Sequence, residues 1–198
     1  MLQMFDFQNI VAITAVLLSF LGSGIYIFSI FKGKTRPHFY THFVWAILTF
    51  IAFFAQVHDD GGAGAWATGA TALTILATAI LALKYGTKDI TRSDKISLVA
   101  ALLAIIPWLL TDNPLWSVIL VTLIDMLAYY PTLRKSWNKP DEENLTSYTL
   151  GAIKFGLSVA ALSNFTIVTT LYPAAIILAN IVLISICMWR KKVIFSSS

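Results

Sequence analysis

The chain has 198 residues, 58% of them hydrophobic and 12% charged, with a mean hydropathy of +0.76 and a formal charge of +4. So few polar residues cannot coat a water-soluble globule of this size. The basic residues stand between apolar segments and not on one exposed domain face, which argues against a nucleic-acid partner. Cys187 is the single cysteine, so an internal disulfide framework is excluded and the residue reads as packing.

The N-terminal MLQMFDFQN carries Asp6 and no base, so no cleaved signal peptide is expected and the N-terminus is expected to be retained. Seven apolar runs near the length that crosses hydrocarbon follow. They lie at about Ile10 to Phe31, Phe39 to Val57, Gly64 to Leu83, Ile96 to Leu110, Leu115 to Leu133, Ser147 to Leu162 and Val168 to Trp189, the fourth extendable back through Ser93. The segments between them, FKGKTRPH, HDDGGAG, KYGTKDITRSDK, TDNP, RKSWNKPDEEN and SNFT, are turn-forming or charged. None is long enough to hold a separate soluble domain.

Basic residues in short loops favour the cytoplasmic side. Of the 14 Lys and Arg, 13 fall in alternate loops and the tail: Lys32, Lys34 and Arg36, then Lys84, Lys88, Arg92 and Lys95, then Arg134, Lys135 and Lys139, then Arg190, Lys191 and Lys192. The opposite segments hold only Asp6, Asp59, Asp60 and Asp112. This split implies an odd number of spans with the N-terminus outside and the C-terminus in the cytoplasm.

Sliding the chain by about 106 residues superimposes spans one to three on spans five to seven without a gap. Trp66 then falls on Tyr172, Thr41 on Ser147, Thr74 on Asn180 and Lys84 on Arg190. Identities are few (Ala46 with Ala152, Ile47 with Ile153, Ala55 with Ala161, Ile75 with Ile181), so matched span boundaries carry the argument. An odd fourth span returns the chain across the bilayer, making the repeats parallel. The expected organisation is an all-α membrane protein: a first triple-helix bundle over 1–91, a linker helix over 92–112 and a second bundle over 113–198.

Asp125 and Lys154 are the acidic and basic residues well inside predicted spans, where charge is costly and faces a partner or a water-filled cavity. Asp125 lies roughly 12 Å above Leu133 and Lys154 roughly 10 Å above Ser147 at the helical rise, depths that allow pairing. Two readings stay open: an ion pair locking two spans together, or a protonatable acid and solute contact. Asn180 sits near the middle of span seven and Thr74, its repeat mate, near the middle of span three; a midplane amide needs hydrogen-bond partners, which a solute can supply. Thr68, Thr71, Thr74 and Thr78 form a stripe at helical spacing, and such threonines commonly bond their own helix carbonyls. Trp45 lies about six residues into span two, either stacked on a ring-bearing solute or packed, and its mate Gly151 breaks the symmetry. Trp66, Trp108 and Trp116 fit an outer aromatic belt, and Trp137 and Trp189 an inner one. Pro131 frees the carbonyl of Leu127 and kinks or ends its helix, as a hinge or as a static bend.

His38 and His42 sit at one end of span two and His58, Asp59 and Asp60 at the other, so no metal site is expected. Nor is a cofactor or an enzyme: no nucleophile and base pair, phosphate-binding glycine motif or redox motif stands out.

Seven spans as triplet, linker and triplet, together with PTLRKSWNKPDEENLT from Pro131 to Thr146, resemble the PQ-loop or MtN3 superfamily, which includes the SWEET sugar transporters. Pro131, Lys135, Trp137 and Leu145 match that family's pattern; Thr132 stands in place of its Gln and Thr146 in place of its Ser. The first half departs from it, with Ile25 at the equivalent position. The resemblance implies a transporter of a small polar solute, of the sugar, amino acid or vitamin class, working by alternating access about a site at Asn180, Thr74, Thr71 and Trp45. In SWEET-like proteins an Asn on these helices contacts the solute, as does an aromatic on the second. The same fold also resembles non-transporting receptors, so a membrane receptor or assembly protein is the alternative. The lipid bilayer is the expected surround, short loops without an address signal suggest a bacterial inner membrane, and a homo-oligomer is left open.

Overall fold

The computed structural model describes residues 2–33, 37, 39–86, 92–103, 106–111, 113–138, 140 and 145–196. Among them the chain is all-helical, with eight α-helices: α1 Leu2–Phe31, α2 Phe39–His58, α3 Trp66–Tyr85, α4 Arg92–Leu103, α5 Ile106–Thr111, α6 Pro114–Asn138, α7 Leu145–Ala160 and α8 Ile167–Ser196. A turn of 3-10 helix over Gly62–Ala65 precedes α3.

The expected seven spans as seven helices are not what forms. The fourth apolar run falls on two pieces, α4 and α5. Among the described residues three segments are long and apolar enough to cross a bilayer: Phe7–Phe31, Gly62–Tyr85 and Ile167–Ile194. The apolar stretches of α2 and α6, His42–His58 and Pro114–Leu127, are shorter. α7 has 16 residues with Lys154 in its interior. Boundaries differ too, since α1 starts at Leu2 and α6 runs on to Asn138. Pro131 therefore does not end its helix, and its side chain, like those of Arg134, Lys135 and Trp108, lies outside the described residues, as do Lys34, Arg36, His38, Lys88, Asp112, Thr132's side chain and Lys139.

Local chemistry sets the helix starts at the end bearing Asp59 and Asp60. Asn113 caps α6, its Oδ1 accepting the Leu115 N–H at 2.9 Å with Pro114 at the first helical position. At α8, Thr166 and Thr169 cap reciprocally: the Thr166 N–H donates to Thr169 Oγ1 at 3.0 Å and the Thr169 N–H to Thr166 Oγ1 at 3.3 Å.

Paired contacts give the helix directions. Along α1 and α3, Ser19 meets Thr71, Ser23 meets Thr74 and Phe31 meets Tyr85, so the two run together. Tyr129 with Asn180 and Trp137 with Trp189 make α6 parallel to α8. α7 runs against both α3 and α8, through Ser158 with Gly64, Lys154 with Thr71, and Phe155 with Tyr172. α2 runs against α8, through Thr49 with Tyr172 and Gln56 with Thr169. α3 packs on α1 and α2 as α8 packs on α6 and α7; α1 meets α7 as α6 meets α2, and α3 meets α7 as α8 meets α2. Exchanging the first three helices with the last three leaves this pattern unchanged. α3 ends beside Phe31, whereas α6 begins where Leu115 and Val118 pack on Ala55 and Val168. α4 and α5 thus stand in the chain between one end and the other.

Polarity is inverted relative to a water-soluble protein. Large apolar side chains such as Phe7, Leu17, Phe28, Leu73, Ile80, Leu178 and Ile181 are exposed, while Ser19, Thr49, Gln56, Thr68, Thr78, Ser117, Thr122 and Ser158 are buried. Small residues, among them Ala12, Ala15, Ala52, Ala67 and Ala72, let the helices approach closely. With three segments long enough to span, this makes the chain an all-helical membrane protein.

Candidate functional site

Two adjoining cavities of about 300 Å³ and about 240 Å³ lie between the halves and share Tyr26, Trp45, Ile75, Ser147, Gly151 and Lys154. The smaller occupies the half of the molecule nearer the ends of α1 and α3 and the starts of α2 and α7, the end flanked by Lys32, Lys84 and Arg190, and the larger extends from there past mid-depth to Thr71, Phe155 and Tyr172.

The residues singled out in the sequence converge here. Trp45, Thr71, Asp125, Lys154 and Asn180 line the larger cavity, and Thr74, with Trp45 and Lys154, the smaller one. Asn180 is buried, and its Oδ1 accepts the Tyr129 hydroxyl at 2.5 Å. Its amide nitrogen lies 2.9 Å from where a side chain at Gly151 would begin, so the glycine opposite it makes room for the amide. That is the physical reason Trp45 has no aromatic mate. Trp45 is part of an aromatic wall, with His42 5.6 Å from it edge-on and Tyr26 5.8 Å beyond. Its Nε1 is buried with no partner among the described residues.

The threonine stripe does what such stripes commonly do. Thr71, Thr74 and Thr78 donate to the carbonyls of Ala67, Thr71 and Thr74 at 2.7, 2.9 and 2.9 Å. Their oxygens also accept: Thr74 from Ser23 at 2.9 Å and Thr71 from Lys154 Nζ at 2.9 Å. Thr68 is buried with its hydroxyl unpartnered among the described residues.

Asp125 and Lys154 share the cavity but do not pair. Lys154 bonds Thr71 and lies 5.0 Å over the Phe155 ring. Asp125 meets the Tyr172 hydroxyl, which in turn lies 3.2 Å from Thr49 Oγ1. Depth along the helices was right for a pair; the rotational setting of α7, which sends Lys154 toward α3, was not visible in depth alone.

At the opposite end the halves are tied together by hydrogen bonds. The Ser163 N–H donates to the Gly61 carbonyl at 3.1 Å, Ser158 Oγ to the Gly64 carbonyl at 2.6 Å, Asn164 Nδ2 to the Asp59 carbonyl at 3.1 Å, and the Thr166 hydroxyl to the Asp59 carboxylate. Gln8 Nε2 reaches the Leu162 carbonyl at 3.2 Å. The glycines of HDDGGAG serve this approach. Gly62 has φ +60°, and a Cβ on it would strike Ser163. One on Gly64 would lie 2.7 Å from the Leu162 backbone.

A proline shapes this end as well, but it is Pro173 in α8. It has no N–H for the Thr169 carbonyl four residues back. Gln56 Nε2 from α2 takes that carbonyl at 2.9 Å, tying the two halves together.

Sequence reading missed Tyr26, His42, Tyr129, Tyr172, Gln56 and Pro173. A spacing signal was there: Tyr172, Ile176 and Asn180 recur every four residues along α8, and Asp125 and Tyr129 stand four apart on α6. Tyr172 was masked by its repeat mate Trp66, an exposed belt residue. Of that belt, Trp116, Trp137 and Trp189 are also exposed. Compared with protein-family models, curated proteins and solved structures, the chain matches none.

Proposed function

We propose that the protein carries a small polar solute across a bacterial inner membrane by alternating access of two triple-helix bundles, α1–α3 and α6–α8, joined by α4 and α5 as a linker. In this reading the chain crosses the bilayer seven times, N-terminus out, in the manner of PQ-loop and SWEET-like proteins. The observation that carries it is a cavity between two similarly packed halves, lined by Asn180, Asp125, Lys154 and Thr71 among apolar groups, with hydrogen bonds tying those halves together at one end. A solute site between two halves that are tied together at one end is what one of the two states of such a mechanism requires. The helix exchange pattern supports a rocking motion of one half on the other.

The closed end also holds polar atoms ready to be released. Gln56 Oε1, Thr68 Oγ1 and Ser117 Oγ, each near the Asp59 end of its helix, are buried without a partner among the described residues. Opening that end would give them water, offsetting part of the cost of breaking the bonds between the halves.

Uptake of labelled sugars, amino acids and vitamins into proteoliposomes, with and without an inward proton gradient, tests the reading. Saturable uptake is expected, reduced about tenfold or more in Asn180→Ala, whose amide is the midplane hydrogen-bonding group. Asp125→Asn is expected to abolish gradient dependence in a protein that remains helical. A folded, correctly oriented protein that moves none of these solutes would contradict the proposal.

A further inference from the structure

We propose that the cavity takes a zwitterion, an α-amino acid with an apolar side chain, its carboxylate docked on Lys154 and its ammonium on Asp125. This rests on the transporter reading only for how the solute reaches the site.

The argument starts from two charges that the fold brings to one cavity and leaves unneutralised. Lys154 has Thr71 Oγ1 and the face of the Phe155 ring as neighbours, and Asp125 has the Tyr172 hydroxyl; no counter-ion meets either among the described residues. An isolated charge at membrane depth is costly, and neutral hydroxyls offset only part of that cost. Had the two served as a structural lock, they would bond each other. Instead α7 directs Lys154 to α3 in the first half, while Asp125 is held by Tyr172 within the second.

Each class of solute can be scored against this arrangement. A neutral polyol satisfies hydroxyls but leaves both charges bare. A simple anion or cation completes one and leaves the other. A zwitterion completes both, and the site then holds two charge pairs away from bulk water, where charge-assisted bonds are strong. Trp45 Nε1, buried in the same wall without a partner among the described residues, adds a neutral donor. Ile75, Phe155 and Ile176 form the apolar part of the same wall, which suits an apolar side chain.

The test is binding in detergent, read as ligand-dependent thermal stabilisation of the full-length protein. The probes are L-alanine, L-leucine, L-phenylalanine and L-glutamine, each compared with its N-acetyl derivative, which lacks the ammonium, and its primary amide, which lacks the carboxylate; glucose serves as a neutral solute. At least one of L-alanine, L-leucine and L-phenylalanine is expected to stabilise saturably and at lower concentration than L-glutamine, with both of its derivatives needing about tenfold higher concentration or more. Lys154→Gln is expected to erase the preference over the amide and Asp125→Asn the preference over the N-acetyl form. Because the ligand series on the unaltered protein stands alone, a variant that fails to fold does not spoil the test. Equal stabilisation by the derivatives, stronger stabilisation by glucose or L-glutamine, or none by any of the three apolar amino acids overturns the inference. Binding without uptake would remove the transporter reading and leave this one; uptake of a sugar without amino-acid binding would do the reverse.

Discussion

The two ends of the molecule are held by different chemistry. At the Asp59 end, backbone carbonyls of one half take hydrogen bonds from the other, and glycines at 62 and 64 allow the chains to come that close. At the basic end the following ties join helices of the same half. Trp137 packs 5.2 Å from Trp189, with Arg190 5.0 Å over the Trp137 ring and bonded to the Trp137 carbonyl at 2.8 Å, and Phe31 packs on Tyr85 beside Lys84. Phe31 and Trp137 are mates in the 106-residue register, as are Lys84 and Arg190. These bonds couple the halves at the Asp59 end, and these ring and cation contacts stiffen each half at the basic end. Under the proposed alternating access, ties of the first kind would break and reform in each cycle while those of the second would hold.

Breaking the coupled end should have the largest effect. Gly64→Val places a side chain against the Leu162 backbone, and overpacking of this kind costs about 3 kcal/mol. Thermal unfolding in detergent should show the drop. Gln56→Ala comes next, since it leaves the Thr169 carbonyl buried beside Pro173 with no donor, at about 2 kcal/mol. Restoration of stability by Pro173→Ala in that background, which returns the helix donor, would identify the carbonyl as the cause. Arg190→Gln at the basic end should cost least, about 0.5 to 1 kcal/mol for a half-exposed cation on two rings. If Arg190→Gln outweighed Gln56→Ala in the same melt, the contrast between the ends would be wrong.

Much of the helix layout was legible because lipid leaves long apolar runs and a one-sided distribution of Lys and Arg. The 106-residue register was legible because span boundaries repeat even where residues do not. Asn180, Thr74, Thr71, Trp45, Asp125 and Lys154 could be found as polar or aromatic groups at membrane depth, and the cavities gather all six. Their partners could not be found. Depth along a helix says nothing about rotation, so Lys154 was matched with Asp125 when it bonds Thr71. The closure at the Asp59 end depends on main-chain carbonyls of Gly61, Gly64 and Asp59, groups every residue carries. Gln56 looked like an ordinary polar residue because its task is set by a proline more than a hundred positions away.

Alternating access requires the Asp59 end to open in each cycle, and a covalent lock across it tests that requirement most directly. The Asp59 and Thr166 side chains touch across the two halves, and the native Cys187 is buried away from them. In an Asp59→Cys, Thr166→Cys variant, oxidation to the disulfide should stop uptake into proteoliposomes while leaving solute binding from the basic side, and reduction should restore uptake, with neither single variant responding. Full-rate uptake by the cross-linked protein would contradict the account.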